Sequence, residues 1–211
     1  MQCGPNRHRA AKATDAPTQL MVIPHFIENT QPRRSNDGIQ HLFNELAEDV
    51  TRNRLIADEI LNAFRQRHKI LVLSERTAHL SCLEQLLKDE LSELHMLHGR
   101  LPKRERTQTM TLLKQLSPDA PHVILASGKL VGEGFDHPPL DTLFLTMPFS
   151  WKGTLQQYAG RLHRSHANKE AVRIHDFIDS GYPQLERMWQ KRITGYKAMG
   201  YQIVRDKLFS A

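Results

Sequence analysis

KILVLSERTAHLSCLEQLLKDELSELHML, residues 69–97, reads as a strand, a helix and a second strand. Within 69–74, Ile70 to Leu73 are apolar on consecutive positions, the pattern of a strand buried on both faces rather than one. Residues 78–87 carry apolar side chains at helical spacing, and 94–97 form a second short apolar run. The same alternation continues downstream. HVILA at 122–126, TLFLTM at 142–147 and VRIHDFI at 172–178 are strand candidates, separated by helical segments at 103–116 and 154–163. Strand and helix alternating in this way predict an α/β fold: a mostly parallel central sheet with helices on both faces. After Pro183 a further helix is expected to about Met199, with a last strand at 201–204.

Outward toward the N-terminus, Leu42, Phe43, Leu46, Val50, Leu55, Ile56, Ile60, Leu61 and Phe64 recur at helical intervals, predicting one long helix or two in succession before Lys69. QLMVIPHFI at 19–27 is apolar but contains Pro24, which has no amide proton for a ladder, so an edge or connecting strand is expected there. Residues 1–18 show no period and read as a tail; QPRRSNDG at 31–38 reads as a loop.

Composition narrows the class. With 211 residues, 39 % hydrophobic and 25 % charged, the chain can bury a core, so disorder throughout is excluded. No run of about 18 apolar residues exists, and the first residues have no leader-like apolar stretch, so neither a membrane span nor secretion is expected. Cys3 and Cys82 have no spacing for a disulfide framework or a zinc cluster, which points to a reducing, cytoplasmic setting. Lys and Arg total 29 against 23 for Asp and Glu, a net charge of +6 that suits a polyanion such as nucleic acid and equally a solubilising surface.

In parallel sheets of this kind, ligands gather where strands end at their C-termini. After the run at 122–126 comes Ser127-Gly128-Lys129-Leu130-Val131-Gly132-Glu133-Gly134-Phe135-Asp136. Its glycines would let main-chain amides approach a phosphate or sugar, and Asp136 could accept from ribose hydroxyls; an ordinary glycine-rich turn is the alternative. It is no P-loop, because position 123 is Val and Leu130 follows the lysine. Further on, Gln157-Tyr158-Ala159-Gly160-Arg161-Leu162-His163-Arg164, read as helix, puts Arg161 and Arg164 at i and i+3 on one face. Paired guanidiniums suit an anion such as a nucleotide γ-phosphate; a solvated basic face is the alternative.

These two segments together resemble the C-terminal RecA-like lobe of superfamily 2 helicases, the DEAD/DEAH-type and restriction-subunit-like enzymes. Gln157-x-x-Gly160-Arg161-x-x-Arg164 is similar to the family's QxxGRxxR arginine-finger motif. Gly132-Glu133-Gly134-Phe135-Asp136 is similar to its preceding motif ending in GxD, 69–75 takes the place of the opening strand, and His98-Gly99 that of the His-Gly turn. The match covers about residues 69–180.

The resemblance implies a RecA-like three-layer sandwich at 69–211, preceded by a helical segment at 38–68 and by a tail and connection from a first lobe at 1–37. It implies that Arg161 and Arg164 stabilise charge on the γ-phosphate of ATP and that Gln157 helps join the lobes. Gly132, Gly134, Asp136 and Gly160 would lie beside the nucleotide. Ser74, His98, Gly99, Ser127, Gly128 and Lys129 would contact the backbone of nucleic acid, with DNA expected over RNA. The 211 residues contain no Walker A lysine loop and no DExx carboxylate pair, so ATP with Mg²⁺ is expected to be held by an N-terminal RecA-like lobe supplied from elsewhere in a longer protein or by another polypeptide. A non-catalytic RecA-like module that binds nucleic acid or protein is the rival reading; a small metabolic enzyme would need a complete active site that the sequence lacks.

Other constellations weigh less. His95 with His98, and His163 with His166, lack companion Cys or acidic ligands for a metal. Arg100, Lys103, Arg104 and Arg106 form a basic helix start, either a nucleic-acid footprint or a solvated face. Trp189, Tyr196 and Tyr201, with Met188, Ile193 and Met199 beside them, read as packing.

Overall fold

A computed structural model describes residues 19–28, 38–117, 119–129, 135–149, 152–164, 166 and 169–204. Gly132 and Gly134 of the expected nucleotide site, and the tail at 1–18, lie outside these residues. The strands are β1 (Gln19–Glu28), β2 (Lys69–Leu73), β3 (Leu94–Leu97), β4 (His122–Ala126), β5 (Thr142–Leu145), β6 (Ala171–Ser180) and β7 (Gln202–Ile203). They form one seven-stranded sheet in the order β3-β4-β2-β5-β6-β1-β7, every pair parallel. The helices are α1 (Gly38–Glu48), α2 (Val50–Arg65), α3 (Thr77–Leu87), α4 (Lys103–Gln115), α5 (Lys152–Leu162) and α6 (Pro183–Ala198).

Consecutive residues of the central strands divide between two cores, as doubly buried strands must. Leu71 and Leu73 of β2, Ile124 and Ala126 of β4, and Leu143 and Leu145 of β5 face α4, α5 and α6. Ile70, Val72, Val123, Leu125 and Phe144 face α2 and α3. The result is the expected three-layer RecA-like sandwich. Trp189, Tyr196 and Tyr201 are all buried in the first core, where their reading as packing is met.

The helical stretch before Lys69 is two helices because Asp49 caps the second: its extended backbone breaks the run, and its carboxylate accepts from the Arg52 amide at 2.9 Å. α2 is then fastened from inside. Arg52, fully buried, donates Nε to Asp179 at 2.9 Å and Nη2 to the Thr146 carbonyl at 2.8 Å.

One expectation needs correction. The segment at 19–28 is not a peripheral connection, because β1 pairs with β6 along all ten residues and lies second from the sheet edge. Pro24 is tolerated for a local reason. The Val22 carbonyl accepts from Val204, on the β7 side, and Pro24 shares that side two residues on, past the Met21 and Val22 pairs that β7 covers. Its missing amide proton therefore leaves no gap in the ladder.

Candidate functional site

The chain order reverses about β2, with β4 and β3 on one side and β5 on the other, so the loops after these four strands border a topological switch point. Backbone hydrogen bonds step from loop to loop. Ser127 N–H donates to Leu97 O at 3.1 Å, Ser74 N–H to Ala126 O at 3.2 Å, and Thr146 N–H to Leu73 O at 3.3 Å. His98, Ser127 and Ser74, residues expected to contact nucleic acid, thus start neighbouring loops at one end of the sheet. Gly99 is exposed in the turn that Leu101 N–H closes onto His98 O at 3.1 Å, and Lys129 is exposed beyond Gly128. Arg100, Lys103 and Arg104 are exposed on the same strand-end turn and the start of α4.

Ser74 is placed differently from the expectation. It is 2 % exposed and its hydroxyl is used internally. Asn53 donates its Nδ2 to the Ala47 carbonyl at 2.8 Å, which leaves its Oδ1 to accept from His79 Nε2 at 2.9 Å. His79 Nδ1 is therefore the acceptor for the Ser74 hydroxyl at 3.0 Å, and Ser74 Oγ accepts from Arg76 N–H at 3.2 Å. Burial, with help from the charges of Arg52 and Arg76, pushes the His79 pKa down to about 3, so the ring stays neutral as this chain of bonds requires. The side chain of Ser74 shapes the loop rather than facing an outside phosphate.

Gly128 is where three segments converge. A Cβ built on it would lie 1.8 Å from Tyr158 Oη and 2.0 Å from Glu75 Oε1, so a side chain there would have to displace that pair. Tyr158, buried on α5, donates its hydroxyl to Glu75 Oε1 at 2.7 Å; burial first, and then this bond, raise its pKa. Neither Tyr158 nor Glu75 was among the residues expected in the site, although both stand inside quoted motifs; nothing in spacing alone distinguishes an anchoring tyrosine from a core one. Beside the pair opens a cavity of about 410 Å³, walled by Phe43, Met147, Phe149 and Met188.

Farther along α5 the arginines form a separate patch. The helix ends at Leu162, so Arg161 lies in its last turn and Arg164 on the turn beyond, not one helical face as the sequence suggested. Lys169 occupies this end: its ammonium donates to the carbonyls of Leu162 at 2.9 Å and Arg164 at 2.9 Å, which a continuing helix would use, and to the loop carbonyl of Pro138 at 2.7 Å. His163 is tied away to the Tyr201 hydroxyl at 2.8 Å.

Arg164 Nε approaches Asp136 Oδ1 at 3.5 Å, with the side chains 54 % and 48 % exposed. Such an open pair is worth well under about 1 kcal/mol and yields readily to another anion or donor. Next to Asp136, His137 Nε2 meets His122 Nε2 at 2.9 Å, and His122 is the first residue of β4. The patch therefore lies toward the beginning of that strand, away from Gly128. Arg161 is half-buried, and Gln157 is exposed. Gly160 is exposed, and among the described residues outside its own helix no atom lies within 4 Å of an added Cβ. The expected residues thus assemble as two patches, strand-end loops and arginine turn, with α5 running between them.

A third cluster was not anticipated. His25, Glu59 and His175 bring donor atoms within 4.8 Å of one another. However, His25 Nε2 and His175 Nδ1 face each other at 3.0 Å between nearly parallel rings, closer than the roughly 3.3 Å separating two nitrogens on a tetrahedral zinc ion. Arg65 and Arg173 line the same cavity. A shared N–H···N proton accounts for this contact, and two guanidiniums oppose a cation.

Residues 52–166 match the model of the helicase conserved C-terminal domain, which is more than half of the chain. The chain belongs to this family. Among curated relatives, the helicase C-terminal domain is 28 % identical over 152 residues to transcript termination protein A18 of Fowlpox virus, covering 70 % of this chain and 32 % of that protein. It spans about a third of that relative's length. The T4 UvsW structure superposes with a TM-score of 0.70 at 18 % identity, covering 89 % of this chain and 41 % of UvsW. S. cerevisiae Dbp5 bound to RNA and ADP BeF3 superposes at 0.57 with 13 % identity, covering 89 % of this chain and 41 % of Dbp5. The fold is that of C-terminal lobes of superfamily 2 helicases. Among the described residues no helix of this domain is long and apolar enough to cross a membrane.

Proposed function

We propose that this domain is the second motor lobe of an ATP-dependent superfamily 2 helicase or translocase. Arg161 and Arg164 act as arginine fingers toward ATP and Mg²⁺ held by a first RecA-like lobe, with Asp136 at the ribose and Gln157 at the lobe junction. The strand-end loops at His98–Gly99 and Ser127–Lys129 hold the nucleic-acid backbone. The observation that carries this reading is the open arginine turn: Arg164 is exposed beside Asp136, and the backbone at Gly160 is uncovered. A phosphate entering there takes the weak Asp136 pair's place on Arg164, and charge-assisted forks of this kind favour phosphate oxygens. The net charge of +6 supports a polyanionic track, and the RNA held by Dbp5 supports a nucleic acid of either kind.

The test is Arg164→Ala in the complete two-lobed protein. ATP binding is expected to persist while turnover stimulated by single-stranded DNA or RNA falls at least about 10³-fold, the scale of arginine-finger losses. Turnover within a few-fold of the parent would remove the finger assignment and leave the non-catalytic module.

A further inference from the structure

Tyr158 stands three residues before Arg161 on α5, yet its hydroxyl reaches the strand-end loops. It donates to Glu75 at 2.7 Å, and the pair closes over Gly128, where an added carbon would have to displace it. Glu75 belongs to the loop after β2, Gly128 to the helical residues that follow β4, and α5 carries Arg161 to the other patch. Those two segments are already bonded together through Ser74 N–H and Ala126 O at 3.2 Å. At the far end of α5, Lys169 bonds the Arg164 turn to the helix through the carbonyls of Leu162 and Arg164. Leu155, Ala159 and Leu162 hold the helix body in the core.

We infer that the Tyr158–Glu75 bond over Gly128 links nucleic-acid contact at the strand ends to the placement of the arginines, making Tyr158 a positioning residue for ATP hydrolysis. This rests on the function proposed above. A phosphate drawn onto Ser127–Lys129 cannot shift the Gly128 backbone without pressing on Tyr158, because close-packed contacts transmit displacement rather than absorb it. The same phosphate repels the Glu75 carboxylate, so the acceptor that orients the phenol moves with it. Tyr158 and Arg161 share α5, and Lys169 bonds the Arg164 turn to the end of that helix, so a displacement of the helix is carried to Arg161 and Arg164.

The experiment compares ATP turnover with and without single-stranded nucleic acid in the complete protein carrying Tyr158→Phe, which keeps the ring and removes only the hydroxyl. The stimulation ratio is expected to fall at least tenfold with KM for ATP within about twofold of the parent. Glu75→Ala, at an exposed position that leaves the core intact, is expected to repeat that loss, and Glu75→Gln, which retains an acceptor, to restore most of the ratio. An unchanged ratio in Tyr158→Phe overturns the inference, as does a loss that strikes both rates equally. A parent protein with no stimulated turnover at all would instead sink the proposed function.

Discussion

Gly128 and Gly160 lack side chains for opposite reasons. At Gly128 the space is taken by this chain, by Tyr158 and Glu75, so the residue is needed for packing of the lobe itself. At Gly160 an added Cβ would meet none of the described residues beyond its own helix, so on the proposed function a need for glycine there would come from a partner that approaches the helix. Gly160→Ala is therefore expected to stabilise α5 by about 0.5–1 kcal/mol, seen as a raised Tm, while lowering stimulated ATP turnover in the complete protein. A raised Tm with full turnover would show that no partner packs against that backbone. Both glycines stand in the same motif-rich text, and sequence cannot tell them apart, because what a Cβ would strike at Gly128 is set by Glu75, 53 positions upstream, and Tyr158, 30 positions downstream, while Gly160 is left open.

At the scale of elements, two buried ion pairs hold helices onto the sheet. Arg192 of α6 donates to Asp176 of β6 at 2.8 and 3.0 Å, Tyr196 adds its hydroxyl to the same carboxylate at 2.7 Å, and a further guanidinium proton reaches the Phe149 carbonyl at 2.7 Å. Arg52 of α2 does the same for Asp179. Because the partner would be left as an unpaired buried charge, Arg192→Ala is expected to cost about 3–5 kcal/mol, read from the shift in urea midpoint. A cost below about 1 kcal/mol would mean that Asp176 finds water or another donor. Phe149 lies in the connection between β5 and α5, so the same arginine also steadies the approach to the arginine helix. These anchors were not readable beforehand, since Arg192 sits in a helix as polar as any surface helix and only its depth identifies it. The strands were readable, because short runs of three or four consecutive apolar residues, recurring between helical segments, find their stable place in the interior of a parallel sheet.

For the whole molecule, buried histidines set an acid limit. His79 and His137 are held to about 3, burial being the main cause in each, and burial lowers His68, His122, His163 and His175 as well. The unfolded chain takes up these protons near pH 6.5, and the folded chain only at lower pH, so the unfolded state binds more protons in between and stability falls as pH drops below about 6.5. His79, almost fully buried, alone accounts for about 2 kcal/mol between pH 6.5 and pH 5, at roughly 1.4 kcal/mol per unit. Urea midpoints at pH 7 and pH 5 check this, with a clearly lower midpoint expected at pH 5; equal midpoints would require His79 to be accessible to protons in the fold. The order of short doubly buried strands, helical segments and QxxGRxxR determined the three-layer class and the family likeness by itself, because burial period and motif order are properties of neighbouring residues. Which residues meet across the sheet was decided only by tertiary structure: that 19–28 enters it as a full strand, that Ser74 turns inward, that Lys169 occupies the end of α5 before Arg164 and that Tyr158 closes over Gly128. Each of those depends on contacts between positions far apart in the chain, and local pattern carries no record of such distances.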